Sequence, residues 1–224
     1  MSVESLASLL LLGLLLGMRH ALDADHVVAV GAIASRERSL RSALLIGVVW
    51  GCGHALTVML VGGAIISLGV AVPPRLGLGM ELMVALALVV LGVANLRSHR
   101  RAHAQPAASN AGSRQGLLRS LGIGIVHGLA GSAAIALLVL TTIDSPRDAL
   151  SYLAVFALGT VIGMTGLTSA FAVPVALFAQ RFQRAHRTMV SAAGLLSLSL
   201  GLVLAYRIGF VDGLFLANAT FTPH

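Results

Sequence analysis

The chain has 224 residues, of which 57% are hydrophobic and only 10% are charged, and its formal net charge of +7 comes from arginine without any lysine. Soluble domains carry about 25% charged residues, so one water-soluble core cannot account for this composition. The one cysteine, Cys52, excludes an internal disulfide and a CxxC redox pair, and its flanking glycines favour a packing role.

Six apolar stretches are each long enough to cross a bilayer, which takes about 20 residues. The sequence therefore predicts an all-α polytopic membrane protein, one transmembrane domain over 1–224, with spans at about 6–33, 42–68, 78–96, 117–142, 149–178 and 188–208. We interpret the first stretch as a retained helix and not a signal peptide, because no small-residue cleavage site follows it.

The first span carries two histidines and two aspartates close together: His20, Asp23, Asp25 and His26. A charge at the centre of a span costs about 2.5–3.5 kcal/mol, and a divalent cation would neutralise both carboxylates. At 100° per residue, the two histidines and Asp23 share one broad face, and Asp25 points elsewhere. All four groups reach one ion only if the helix is unwound or bent here. Otherwise Asp25 orients a histidine or pairs with Arg19.

The second and fourth spans each have a histidine near the midpoint, His54 and His127, at about the depth of His20. A lone buried histidine is commonly a hydrogen-bonded structural residue, and both interpretations stay open for each of the two. The shared depth favours one cavity. The predicted metal ligands are His20, Asp23, Asp25, His26, His54 and His127.

The arginines lie mostly in the loops after spans one, three and five, which include the long polar segment 97–116. Cytoplasmic loops collect arginine, so these loops are predicted to face the cytoplasm. Six spans then leave both termini outside the inner (plasma) membrane. This distribution explains the basic charge without a nucleic-acid partner.

The two halves, about 6–96 and 117–208, resemble each other in their glycine patterns. The matched positions are Gly17 to His20 with Gly124 to His127, then Gly47, Gly51 and His54 with Gly159, Gly163 and Gly166, and finally Gly92 with Gly201. A repeat of three spans inserts its second copy upside down. Such inverted repeats are a transporter architecture with the substrate site near the midplane.

The segment from Arg19 to His26, Arg-His-Ala-Leu-Asp-Ala-Asp-His, resembles the HxxxxDH signature of the nickel/cobalt transporter family. The segment 126–132, Val-His-Gly-Leu-Ala-Gly-Ser, looks like the shorter six-span branch related to urease-accessory transporters. The resemblance implies a helical permease for Ni²⁺ or Co²⁺ in which His20, Asp25 and His26 are essential. Classical members have eight spans, and their acidic motifs of the second half are missing here.

We therefore expect a permease, not an enzyme, that carries a divalent metal ion through a His/Asp site and holds no tightly bound cofactor. Imidazole and carboxylate ligands suit nickel and cobalt, and also zinc. Two alternatives remain: a proton-coupled exporter of a small anion, and an intramembrane metal-dependent enzyme or assembly factor. No GxxxxGK[ST] or HExxH motif is present. The direction of transport, the coupling ion and the oligomeric state are left open by the sequence.

Overall fold

The computed structural model describes residues 3–35, 39–68, 73–101, 114–129, 143, 145–178 and 183–216. Every regular element within these ranges is helical, as the composition predicts. The elements are α1 (Val3–His20), α2 (Ala24–Ala34), α3 (Leu40–Leu68), α4 (Pro74–Arg101), α5 (Arg114–Gly128), α6 (Pro146–Phe178), α7 (Gln183–Tyr206) and a π-helical turn (Arg207–Val211).

Four segments of these helices are long and apolar enough to cross a membrane: Leu40–Leu68, Pro74–Arg97, Pro146–Val173 and Thr188–Val211. The pair Ser5–His20 and Ala24–Ala34 makes a fifth if the two helices form one bent span. The chain is thus a multi-pass membrane protein. These segments match the predicted first, second, third, fifth and sixth spans, with shifted ends.

The predicted fourth span, 117–142, coincides with α5 only as far as Gly128, and residues 130–142 lie outside the described residues. The same holds for 102–113 of the predicted cytoplasmic segment and for Arg36 and Arg38. Cys52 is exposed on α3, which corrects the expected packing role. Its neighbours Gly51 and Gly53 are buried instead, so the glycines and not the thiol face the other helices.

The first span is broken where the predicted site lies. The amide groups of Leu22 and Asp23 donate to the carbonyl oxygens three residues earlier, those of Arg19 and His20. Asp23 then has extended backbone angles (φ −62°, ψ 149°), and α2 starts after it at an angle of 56° to α1. A break of this kind inside a membrane is tolerated only where protein or a cavity surrounds it.

The helices pack in four main pairs: α3 with α6, α4 with α7, α3 with α5, and α1 with α6. Glycines allow the close approach in these pairs, as small residues do in membrane helix packing. A Cβ added at Gly17 would lie 2.1 Å from the carbonyl oxygen of Phe156, for example. The short helix α2 packs against α4, α6 and α7. This arrangement brings the end of α1, the start of α2 and the middle of α3 together.

Candidate metal centre

Three histidines from three helices meet in the interior: His20 at the end of α1, His26 in the first turn of α2, and His54 in the middle of α3. One ring nitrogen from each lies within 4.8 Å of one from each of the others. All three side chains are buried. We call these three residues the histidine cluster.

The helix break is what brings His20 and His26 together. On a continuous helix, six residues would separate them by about 9 Å along the axis and by about 120° around it. Across the 56° bend their ring centroids are 4.7 Å apart, in an edge-to-face arrangement. The bend that the sequence named as a condition for a common site is therefore present.

His20 has a defined hydrogen-bonding pattern. Its Nδ1 lies 2.7 Å from Oδ2 of Asp23, and its Nε2 lies 3.2 Å from Nε2 of His54. A carboxylate only accepts hydrogen bonds, so the neutral His20 ring carries its proton on Nδ1. The His54 Nε2–H then donates to the Nε2 lone pair of His20, which leaves the His54 Nδ1 lone pair without a partner.

His127 of α5 stands beside the histidine cluster, with its ring centroid 5.6 Å from that of His26. Its Nδ1–H donates to the carbonyl oxygen of Ile123 over 3.1 Å. The free lone pair of His127 is therefore on Nε2. His127 does not belong to the group whose ring nitrogens lie within 4.8 Å of one another.

Four buried ring nitrogens at this place have no hydrogen-bond partner among the described residues: both nitrogens of His26, Nδ1 of His54 and Nε2 of His127. Burying a polar group without a partner is costly, and such groups in native proteins usually have one. By contrast, the buried Thr57 and Thr160 each donate to the carbonyl oxygen four residues earlier. The four histidine nitrogens lie together, and a metal ion could bind the lone pairs among them; the buried hydroxyls of Tyr152 and Ser191 also lack a partner among the described residues.

The two carboxylates of the first span occupy different places. Oδ1 of Asp25 lies 3.4 Å from Nδ1 of His26, and its side chain is only 14% exposed. The Asp23 side chain is 42% exposed and contacts Nδ1 of His20. Asp25 is thus the more enclosed carboxylate, although regular helix geometry pointed it away from the face of the two histidines. The helix break explains the difference, because Asp23 lies within it and Asp25 lies after it, in the first turn of α2.

Two aromatic side chains that the sequence analysis did not single out also touch the site. The ring centroid of Trp50 is 5.6 Å from that of His127 and 6.1 Å from that of His26, and the Phe156 centroid is 5.6 Å from that of His20. Trp50 could have been found from the sequence, because it lies one helical turn before His54 and shares its face. No comparable signal marks Phe156.

Comparison with known proteins gives two relatives. The chain is 34% identical over 229 residues to the urease accessory protein UreH of Bacillus sp. (strain TB-90), covering 96% of this chain and 98% of the relative. It is 29% identical over 165 residues to a protein of Methanocaldococcus jannaschii provisionally named a nickel/cobalt efflux system, covering 70% of this chain and 72% of that one. No family model and no solved structure gives a significant match.

Proposed function

The chain belongs to the nickel/cobalt transporter family, in its UreH-like branch, and we propose that it is a permease that moves Ni²⁺ or Co²⁺ across the membrane through the histidine cluster. The observation that carries this proposal is the group of four buried, unpartnered ring nitrogens around the break in the first span. Imidazole nitrogen is a ligand that suits nickel and cobalt.

The residues divide into proposed ligands and supporting groups. His20, His26 and His54 are the central ligands, since their nitrogens converge. Asp25 supplies negative charge beside His26, and His127 completes the set from the second half through its free Nε2. Asp23 holds the ring of His20 through Nδ1, as carboxylates commonly do behind a metal-binding histidine. Metal binding at Nε2 of His20 would replace the hydrogen bond from His54.

We further propose six spans in two inverted halves, and helix contacts support this architecture. A Cβ added at Gly17 of α1 would lie 2.1 Å from the carbonyl oxygen of Phe156 on α6. One added at Gly124 of α5 would lie 2.2 Å from the carbonyl oxygen of Trp50 on α3. Exchanging α1 with α5 and α6 with α3 therefore converts one contact into the other.

Exchanging the two halves also exchanges α4 with α7, and it relates the close contacts between these two helices. A Cβ at Gly92 of α4 would lie 2.7 Å from the carbonyl oxygen of Gly194 on α7, and one at Gly201 of α7 would lie 2.7 Å from that of Ala85 on α4. These contacts support the pairing of Gly92 with Gly201 that the sequence suggested.

In the second and fifth spans the contacts favour a different register from the one read in the sequence. Added Cβ atoms at Gly53 and Gly159 would each meet a carbonyl oxygen, on α5 and α1 respectively, at 2.6 and 2.3 Å. Gly159 therefore corresponds to Gly53, six residues beyond Gly47. His54 then corresponds to Thr160, and Gly166, whose added Cβ would meet nothing within 4 Å, has no equivalent packing role.

The direction of the helices supports an axis in the membrane plane. Gly47, early in α3, approaches Thr168, late in α6, whereas Gly62, late in α3, approaches Leu153, early in α6. The two helices are thus antiparallel, and a two-fold axis that exchanges them is perpendicular to both. Transporters with such halves expose a central site alternately to the two sides.

The proposed orientation follows from the arginines. The loops after spans one, three and five, including 97–116, face the cytoplasm, and both termini face outward across the plasma membrane. In this orientation α3 begins on the cytoplasmic side and α6 on the outer side.

Metal transport in cells and in proteoliposomes tests the proposed function. His20→Ala and His26→Ala should abolish the movement of Ni²⁺ and Co²⁺ in either direction while the protein still inserts. His54→Ala should be nearly as severe, and His127→Ala milder. His103→Ala, in the predicted cytoplasmic loop, is the matched control and should transport like the parent. Normal transport by the His20 and His26 variants at parental expression would refute the proposal.

A further inference from the structure

The histidines belong to a longer row of rings that runs through the interior. Phe156 contacts His20, His20 contacts His26 and His54, His26 contacts His127, and His127 contacts Trp50, with centroid separations from 4.7 to 5.6 Å. The two ends of the row are the two aromatic side chains that are not imidazoles, Phe156 and Trp50. Both are buried, with exposed fractions of 2% and 0%.

The two ends of the row are equivalent under the exchange of the two halves. Phe156 lies 5.6 Å from His20, and Trp50 lies 5.6 Å from His127. Each aromatic residue also presents its carbonyl oxygen to a glycine three residues before the histidine that it touches, at Gly17 and Gly124. The backbone is thus held close at both ends, so a movement of either residue has to come from its ring.

The two aromatic residues lie on opposite sides of the centre. Trp50 precedes His54 by four residues on α3, and Phe156 precedes Thr160, the equivalent of His54, by four residues on α6. Four residues correspond to about 6 Å along a helix. Because α3 and α6 are antiparallel, these displacements point in opposite directions, toward the start of α3 and the start of α6.

We propose that Trp50 and Phe156 are the two barriers of the transport path, each closing the histidine cluster toward one side of the membrane. This proposal rests on the proposed function and on its inverted halves. With both rings in place, the histidines are at most 5% exposed, so the structure corresponds to an occluded state. Turning one ring aside opens the histidine cluster to one side of the membrane only. A divalent ion can then enter without a continuous pore through the protein.

The indole nitrogen of Trp50 supports a ring that moves. Nε1 is buried and has no hydrogen-bond partner among the residues that the structure describes. An unpartnered N–H in an apolar interior costs free energy, which weakens the closed position. When the ring turns out, water entering the path can accept this hydrogen bond. The side on which Trp50 lies is therefore expected to open more easily than that of Phe156, which has no polar atom to satisfy.

Side-specific labelling of a cysteine tests the two barriers without any metal. The probe is Thr160→Cys in a Cys52→Ser background, because Thr160 is fully buried one turn from Phe156. A membrane-impermeant maleimide is added to right-side-out or to inside-out vesicles. Phe156→Ala should raise the labelling rate about tenfold from the side on which α6 begins, and Trp50→Ala should raise it about tenfold from the other side. A tenfold larger open population corresponds to a free energy of opening that is lower by about 1.4 kcal/mol.

Two controls separate a barrier from general loosening. Phe171→Ala removes a ring from the same helix as Phe156, at a place where the ring packs beside Gly31 of α2, and should leave labelling from both sides unchanged. Trp50→Phe keeps a ring in place without the unpartnered N–H and should label no faster than the parent from either side. If both alanine variants label faster from both sides, or neither labels faster although both insert, the proposal is wrong.

A second measurement applies if Trp50→Ala fails to insert. Trp50 is the one tryptophan of the chain, so quenching of the intrinsic fluorescence by iodide reports on it alone. Iodide should quench it only from the side on which α3 begins, and equal quenching from both sides would overturn the proposal. Labelling and quenching do not depend on nickel or cobalt. If labelling and quenching are side-specific but the His20 variant transports metal normally, the proposed metal site is refuted and the proposed barriers are retained.

Discussion

The closest helix contacts predict a large difference between two outwardly similar substitutions, Gly124→Ala and Gly166→Ala. A Cβ at Gly124 would lie 2.2 Å from the carbonyl oxygen of Trp50 and 2.6 Å from its Cδ1, whereas one at Gly166 would meet nothing within 4 Å. Both changes favour the helix by about 1 kcal/mol, the propensity difference between glycine and alanine. The difference between the two variants therefore isolates the cost of the clash.

The size of that cost follows from the geometry. Ordinary contact starts at 3.4 Å, so α5 must move away from α3 by about 1 Å, because a carbonyl oxygen cannot turn aside as a side chain can. Overpacking of this kind costs about 1–3 kcal/mol. For a chain of this size, this corresponds to a melting temperature about 2–12 °C lower for Gly124→Ala than for Gly166→Ala.

Thermal unfolding of the purified variants in detergent, followed by size-exclusion chromatography, measures this difference. Gly17→Ala is the internal replicate, since its Cβ would lie 2.1 Å from the carbonyl oxygen of Phe156, and it should lower the melting temperature as Gly124→Ala does. Equal melting temperatures for Gly124→Ala and Gly166→Ala would refute the packing argument. A large difference between Gly17→Ala and Gly124→Ala would contradict the equivalence of the two halves.

Three further predictions concern the site and the topology. Asp23→Ala should lower the affinity for Co²⁺ about 10–100-fold, and Asp23→Asn, whose amide oxygen still accepts from His20, should lose less in calorimetric titration; equal losses would indicate that Asp23 binds the metal directly. Co²⁺ affinity should be level above about pH 7.5 and fall as the pH drops below about 6.5, the unperturbed imidazole pKa, because protons then compete for the ligand nitrogens, and a flat profile would contradict histidine ligation. Reporter fusions at Ala107 and at His224 should report opposite sides of the membrane, with Ala107 in the cytoplasm; the same side for both would contradict six spans.

The sequence predicted the fold class well because twenty-residue apolar stretches have few alternatives to a membrane helix. It also predicted the family from the segment 19–26, and it named His20, His26 and His54 as residues of one site. It could not choose between a straight and a bent first span, since ordinary helix-forming residues surround Asp23. The break depends on tertiary packing, and the enclosed position of Asp25 depends on the break.

The glycine patterns show why residue spacing alone does not determine how the two halves align. Gly47, Gly51 and His54 align with Gly159, Gly163 and Gly166 by spacing alone, whereas the register proposed from the contacts pairs Gly53 with Gly159. Glycines recur every few residues in these spans, so several registers fit the sequence equally well. Only the neighbour that each glycine meets distinguishes them. Phe156 was missed because its contact with His20 joins two different helices and leaves no signal in the sequence.

The histidines do not follow the symmetry that the helices suggest. In the proposed inverted repeat His20 and His127 occupy equivalent positions, whereas Thr160 stands where a counterpart of His54 would be. A carrier made of two identical halves would spend equal time facing each side of the membrane. In the proposed carrier the ligands belong mainly to one half, so its two empty orientations are expected to differ in energy. We therefore expect substitutions at Thr160 to shift the resting orientation of the proposed carrier, and with it the side from which ions are captured, without changing any proposed ligand.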